Sequence, residues 1–179
     1  MENSNLLLIY LSALILLLGI AAFFVLRQVF RTRRIESTLS RLQTKLTKEK
    51  GTAQEYYELA SLLLDKKLYT QSALYLQQAL KQLEDDEEEN SALVYNALGY
   101  AYFAQEQYDL AIRNYKEALK IYPGYATAMN NLAHSYERKQ LTSQALEMYE
   151  TALSLEPKNT TSRRRADSLK KRLAPSTGK

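Results

Sequence analysis

The sequence contains no cysteine, one histidine, three prolines and five glycines among its 179 residues. Without cysteine there is no disulfide, no thiolate metal site and no cysteine nucleophile. The single histidine, His134, has neither a second imidazole nor a thiol with which to hold a metal, so a metal centre or a histidine-based triad is not expected. Five glycines include no phosphate-cradling loop, and no serine stands in a nucleophile elbow. So little glycine and proline is also hard to reconcile with the many tight turns of an all-β fold. What remains is 46% hydrophobic and 10% aromatic, a composition that suits one modest globular domain with appendages, built from long helices joined by short loops. The expectation is an all-α protein that is not an enzyme and carries no cofactor.

The net charge of +4 averages three unlike zones. Residues 27–50 hold eight Lys/Arg against Glu36 and Glu49, net +6; residues 160–179 hold seven against Asp167, again +6; residues 51–159 are net −7. Ahead of the first basic zone, Leu6 to Leu26 form 21 residues without a charge, rich in Leu, Ile, Phe and Val. As a helix rising ~1.5 Å per residue, such a run matches the ~30 Å hydrocarbon thickness of a bilayer. A cleaved signal peptide would place basic residues before the apolar run and a small-x-small cleavage site after it. The order here is reversed, because only Glu2 precedes the run while Arg27, Arg31, Arg33 and Arg34 follow it at once. An uncleaved membrane anchor is expected, with the C-terminal side in the cytoplasm or a plastid stroma.

Beyond the anchor, Ile35, Leu39, Leu42 and Leu46 mark one helical stripe, with Arg41, Lys45 and Lys48 on other faces. Contact with anionic lipid headgroups and a solvated spacer that serves only topology follow equally from these charges. A coiled-coil seam needs three or four heptads, and two are present.

The rest of the chain repeats itself. At an offset of 34, Tyr95 pairs with Met129, Leu98 with Leu132, Gly99 with Ala133, Tyr102 with Tyr136, Ala111 with Ala145, Tyr115 with Tyr149, Ala118 with Ala152 and Pro123 with Pro157. Two helices approach closely only where side chains are small, which Gly99, Ala111 and Ala118 provide. Tyr95, Leu98, Tyr102, Tyr108 and Tyr115 supply the complementary volume, and Pro123 ends the second helix. This pattern resembles the tetratricopeptide-repeat (TPR) family, whose unit is a pair of antiparallel helices. A degenerate earlier copy carries Tyr56, Leu59, Ala60, Leu63, Tyr69, Ser72, Leu76 and Ala79 at an offset of 39. The extra residues coincide with the acidic run Glu84–Glu89, read as a solvated loop, or as a hook for a basic partner, with Asn90 or Ser91 starting the next helix.

Single repeats cannot bury their apolar faces, so about three are needed and the last requires a polar-faced cap. Residues 161–173 fit that cap, with Ala166, Leu169 and Leu173 as the packed stripe, Arg163, Arg164, Arg165, Lys170, Lys171 and Arg172 facing outward, and Pro175 as the stop. A lipid or nucleic-acid patch on these cations is the weaker reading, and nucleic acid is the least supported partner. Asn159-Thr160-Thr161 fits a glycosylation acceptor, which is chance on a cytoplasmic side.

The expected organisation is therefore an all-α chain. It comprises a short tail (1–5), a transmembrane anchor (6–26), a basic juxtamembrane helix or linker (27–52), a degenerate first repeat (53–86), an acidic insertion (87–91), repeats 92–125 and 126–159, and a basic capping helix and tail (160–179).

The TPR resemblance implies that the first helices of successive repeats line a concave groove that binds protein. Carried over, the exposed positions are Tyr57, Ser61 and Leu64, then Asn96, Tyr100 and Phe103, then Asn130, His134 and Glu137. TPR domains that clamp a chaperone's C-terminal carboxylate use Lys and Arg on this surface, absent here apart from nearby Arg138. Tyr57, Tyr100 and Phe103 could instead anchor an apolar segment, with Asn96 and Asn130 pairing its backbone, unless these aromatics only stabilise helix stacking.

The anchor, the stretch FVLRQVFRTRRIESTLSRLQTKLTKEKG from Phe24 to Gly51, three repeats and a basic tail together resemble the photosystem I assembly TPR proteins of cyanobacteria and plastids. That resemblance runs the whole length. It implies a single-pass thylakoid protein with a lumenal N-terminus and stromal or cytoplasmic repeats, whose partner is a photosystem I subunit or assembly factor. A membrane-anchored receptor for protein targeting, or for the assembly of another membrane complex, is the alternative, since the repeats alone do not choose a process.

Overall fold

The computed structural model describes residues 2–83 and 88–174. Among them there are eight helices and no strand. They are α1 (Glu2–Lys48), α2 (Ala53–Asp65), α3 (Tyr69–Gln82), α4 (Glu88–Ala104), α5 (Tyr108–Ile121), α6 (Ala126–Arg138), α7 (Thr142–Leu155) and α8 (Thr160–Leu173). The chain divides into two units, α1 and the remainder from Glu49 onward.

The apolar run and the basic stripe, expected as an anchor followed by a separate helix or linker, form one uninterrupted helix of 47 residues. No proline or glycine pair interrupts it, so nothing in the backbone stops propagation across the change of composition. Within α1, Ala13–Lys48 is the one stretch among the described residues long and apolar enough to cross a membrane; its apolar 18-residue window has a mean hydropathy of 2.3 and is nowhere buried.

In the second unit, α2 and α3, α4 and α5, and α6 and α7 form antiparallel pairs, each pair stacks on the next, and α8 closes the stack against α7. Small residues sit where the expected close approaches fall: Ala60, Ala79, Ala111, Ala118, Ala133, Ala145 and Ala152 are fully buried. Gly99 is the tightest point, since a methyl group there would lie 2.6 Å from the ring of Tyr115, itself fully buried. Two of the helix starts carry side-chain caps. Thr52 forms a reciprocal capping box with Glu55 at the start of α2, and Asn159 accepts from the Ser162 amide at the start of α8. The residue that fits a glycosylation acceptor thus has a structural task as a helix cap.

The turns inside the three pairs are identical in kind. Lys67, Glu106 and Gln140 adopt left-handed φ of 61°, 60° and 61°, and they recur at the repeat offsets of 39 and 34. In each, the following amide reaches back five residues (Leu68 to Leu63, Gln107 to Tyr102, Leu141 to Tyr136). The left-handed residue itself donates three residues back. This is the Schellman closure, usually made by glycine, and here made by long polar residues.

Two expectations are corrected. Helix α4 already includes Glu88, ahead of Asn90 and Ser91, so part of the acidic run is helical rather than loop. Residues 84–87 of the acidic run, and Pro175, lie outside the described residues. In α8, Ala166 and Leu169 are buried as expected, yet Leu173 is 45% exposed, and Ser162 completes the packed stripe instead.

Candidate functional site

The first helices of the repeats stand side by side, α2 touching α4 and α4 touching α6. The nine residues expected to line the groove fall along this row. Tyr100 is exposed, and the other eight are half-buried.

At the α2 end, Tyr57 forms part of the wall of a cavity of 330 Å³ between the starts of α2 and α4 and the end of α3, with Leu83, Leu93 and Val94 as its apolar lining. Leu93, 43% exposed, lines this cavity and was passed over by sequence reasoning. Beside it runs an amide and phenol network. The Asn131 side-chain amide donates to Asn96 at 3.0 Å, and Asn96 donates to the Tyr125 hydroxyl at 3.3 Å. Burial first, and then proximity to Tyr57, raises the Tyr125 phenol above its ordinary pKa, against the lowering effect of the Asn96 bond. Tyr125 is therefore a neutral hydroxyl at physiological pH.

Tyr100 meets Tyr69 edge-on at 6.4 Å between ring centroids, leaving 44% of its surface exposed. Phe103 is differently placed. It packs edge-on against Tyr108 at 5.5 Å and lies over His134 at 4.7 Å, bridging repeats two and three. Ser61 turns its hydroxyl back to the Tyr57 carbonyl at 2.8 Å, and Leu64 sits half-buried at the end of α2.

At the other end, α8 enters the site. The Ser162 hydroxyl donates to Asn130. Arg165 pairs with Glu137 at 3.1 Å, and Glu137 also accepts from the Tyr149 hydroxyl at 3.3 Å. His134, next to this pair, is held below the usual imidazole pKa by burial and by Arg165, with Glu137 opposing and Arg138 reinforcing. It is a neutral stacking partner at neutral pH. Burial and the nearby Glu137 carboxylate push the Tyr149 phenol strongly upward, so it donates and does not ionise.

The expected residues are thus brought together, but several have other work. Asn96 and Asn130, expected to pair a ligand's backbone, are engaged with Asn131, Tyr125 and Ser162; a half-buried amide takes the nearest partner because leaving it unpaired costs more than the bond returns. Arg165, expected to face outward, turns in toward Glu137. Sequence reasoning missed Tyr125, Asn131, Ser162 and Arg165. For the last two the signal was present, in the 34-residue period carried one step past the third repeat.

Comparison with known proteins agrees with this architecture. Family profiles described as TPR repeat and tetratricopeptide repeat match residues 99–140 and 126–159. Among solved structures, MamA superposes with a TM-score of 0.71 at 20% identity, covering 79% of this chain and 80% of that one, a likeness of fold. Among curated proteins, the chain is 37% identical over 164 residues to the chloroplastic TPR domain-containing protein PYG7 of Arabidopsis thaliana. The match covers 92% of this chain and 54% of that protein, so the chain spans about half the length of that relative. It is 40% identical over 144 residues to the protein ycf37 of Cyanophora paradoxa, covering 79% of this chain and 82% of the relative. On that similarity, sustained over most of both chains, this chain belongs to the PYG7/ycf37 family of tetratricopeptide-repeat proteins.

Proposed function

We propose that the chain is a membrane-anchored, non-catalytic scaffold that assists assembly or stability of photosystem I by holding a subunit or a fellow assembly factor in its groove. The observation that carries the binding half is the apolar surface left accessible on the row of first helices. Tyr100 is 44% exposed even with one edge packed on Tyr69, and Tyr57 and Leu93 flank an open cavity. Aromatic anchors in preformed pockets dominate protein–protein affinity. Tyr57 and Tyr100 are the anchors; Phe103 contributes more to stacking on His134. The photosynthetic half is supported by a chloroplast relative and by the whole-length resemblance to photosystem I assembly TPR proteins.

The anchor is α1, crossing a thylakoid membrane once with its N-terminus lumenal and the repeats on the stromal or cytoplasmic side, as the arginines after the apolar run favour. The basic half of α1 is suited to anionic lipid headgroups. Because the chain has no cysteine, topology is testable by labelling. Ser154→Cys should react with an impermeant maleimide from the stromal face and Ser4→Cys only after the membrane is opened; the reverse pattern overturns the orientation.

The function is tested by tagging the chain and purifying it from mildly solubilised membranes, with Tyr57→Ala/Tyr100→Ala as the control. Photosystem I subunits or assembly factors should co-purify with the parent and not with the double variant. Deleting the gene should lower photosystem I relative to photosystem II under demanding growth, and an unchanged ratio ends the photosynthetic reading. Capture of soluble precursors in place of membrane-complex components would favour a targeting receptor.

A further inference from the structure

Helix α8 was expected to be a cap that turns its cations to solvent. Its register says more. On α4, Val94, Leu98 and Ala101 are buried; 34 residues on, Ala128, Leu132 and Ser135 are buried on α6; and another 34 on, Ser162, Ala166 and Leu169 are buried on α8. The three helices therefore present corresponding faces. Side-chain contacts agree, since Ser162 reaches Asn130 and Arg165 reaches Glu137, both groove residues of α6. Carrying the groove positions Asn130, His134, Glu137 and the neighbouring Arg138 forward by 34 gives Arg164, Ser168, Lys171 and Arg172. All four are exposed.

The cations of α8 divide along the same line. Those at other register positions are occupied: Arg165 by Glu137, Lys170 by Glu150 at 2.8 Å, and Arg163 by the Pro157 carbonyl. Those at the groove positions are not. Among the described residues, no carboxylate lies within ion-pair distance of Arg164, Lys171 or Arg172. The one acid of α8, Asp167, stands at the position where Gly99 and Ala133 face the second helix of their own repeat, off the groove. The α2 end of the same row is apolar and aromatic, and its centre is neutral, because Glu137 is compensated by Arg165 and His134 is uncharged.

We infer that α8 is a fourth groove helix, and that Arg164, Lys171 and Arg172 form a cationic subsite for the acidic end of a protein segment lying along the groove. The proposal rests on the groove-binding reading above. Charge complementarity and continuity with the groove choose an acidic polypeptide over a lipid surface. The cations extend a row of peptide-sized side chains and share it with apolar anchors, an arrangement that a planar array of headgroups does not need. Exposed charge pairs are individually weak, so three in a line supply direction and register more than raw affinity.

The test is selection from a displayed library of random peptides on the full chain held in phosphatidylcholine nanodiscs. It is run beside Arg164→Glu/Lys171→Glu/Arg172→Glu and Tyr57→Ala/Tyr100→Ala, with thermal melts confirming that each variant is folded. The parent should enrich peptides that carry an apolar residue followed by Asp or Glu toward one end. The charge-reversed chain should bind those peptides at least about tenfold more weakly and lose the acidic enrichment while keeping the apolar one. Apolar enrichment without acidic enrichment in the parent, or acidic enrichment that survives the reversal, overturns the cationic subsite and leaves the groove reading standing. No enrichment of any class overturns both. Acidic enrichment present in phosphatidylcholine and lost in phosphatidylglycerol nanodiscs would assign the cations to lipid and overturn the proposal in that way.

Discussion

Helix α1 and the repeat stack spend the same residue types in opposite ways. In α1, Leu16, Leu18, Phe23 and Phe24 are each more than half exposed, whereas Leu59, Leu63, Leu76, Leu132 and Tyr115 in the stack are buried almost completely. Gly19 and Gly99 differ likewise: a methyl group on Gly19 would meet nothing within 4 Å, and one on Gly99 would strike Tyr115. The lesson concerns the partner of an apolar side chain. In the stack, side chains are matched to one another and shape decides the cost of a change; in the apolar run of α1 the large side chains stay exposed, and only composition and length are specified there.

Matched substitutions in the two regions sharpen this contrast, and stability of the full chain in mild detergent, followed by urea or thermal melts, measures them. Leu132→Ala should cost about 2–5 kcal/mol through lost burial and a residual cavity, while Leu18→Ala leaves the melt of the stack unchanged; equal effects would erase the distinction. Gly99→Ala should destabilise by about 1–3 kcal/mol, because the buried Tyr115 ring cannot yield and overpacking outweighs the helix propensity gained. Gly19→Ala should be silent in the same assay.

A smaller effect of opposite sign is expected at the repeat turns. Gln140→Gly should stabilise the stack by up to about 1 kcal/mol, since a left-handed conformation is strained for an L side chain and free for glycine. A loss of stability there would mean that the Gln140 side chain contributes more than its backbone costs.

The smallest effect is electrostatic. The folded pKa of His134 lies below its unfolded value, so the unfolded chain binds the proton more tightly and this residue's contribution to stability is full above about pH 6.5. It is lost as pH falls from there toward the folded value. Acidification to about pH 5 should therefore destabilise the parent more than His134→Gln. Parallel pH profiles for the two chains would show that His134 is not the titrating group.

Much of this was open to reading from residues alone, for a physical reason. A 34-residue period of small and large side chains can be satisfied only by helix pairs packed at fixed approach points, so small Gly99 and bulky Tyr115 were legible as packing positions before any coordinates, though not that they face each other. The turns were not. Nothing marks Lys67, Glu106 or Gln140 as left-handed, because the usual glycine is missing, and only the closing hydrogen bonds reveal them. The groove was half legible. Its aromatic positions follow from the repeat, but the partners of Asn96 and Asn130 depend on which neighbouring side chain is within reach.

The sequence by itself determined the helix pairs, the spacing of their contacts, the apolar run of α1 and the charge on either side of it, because each depends on local periodicity and composition. Only the tertiary structure decided that α8 reaches Asn130 and Glu137 of α6, and that Arg165 and Lys170 are paired while Arg164, Lys171 and Arg172 are left open. Those outcomes turn on distances between residues far apart in the chain. A charge has no fate until the fold determines which carboxylate it can reach.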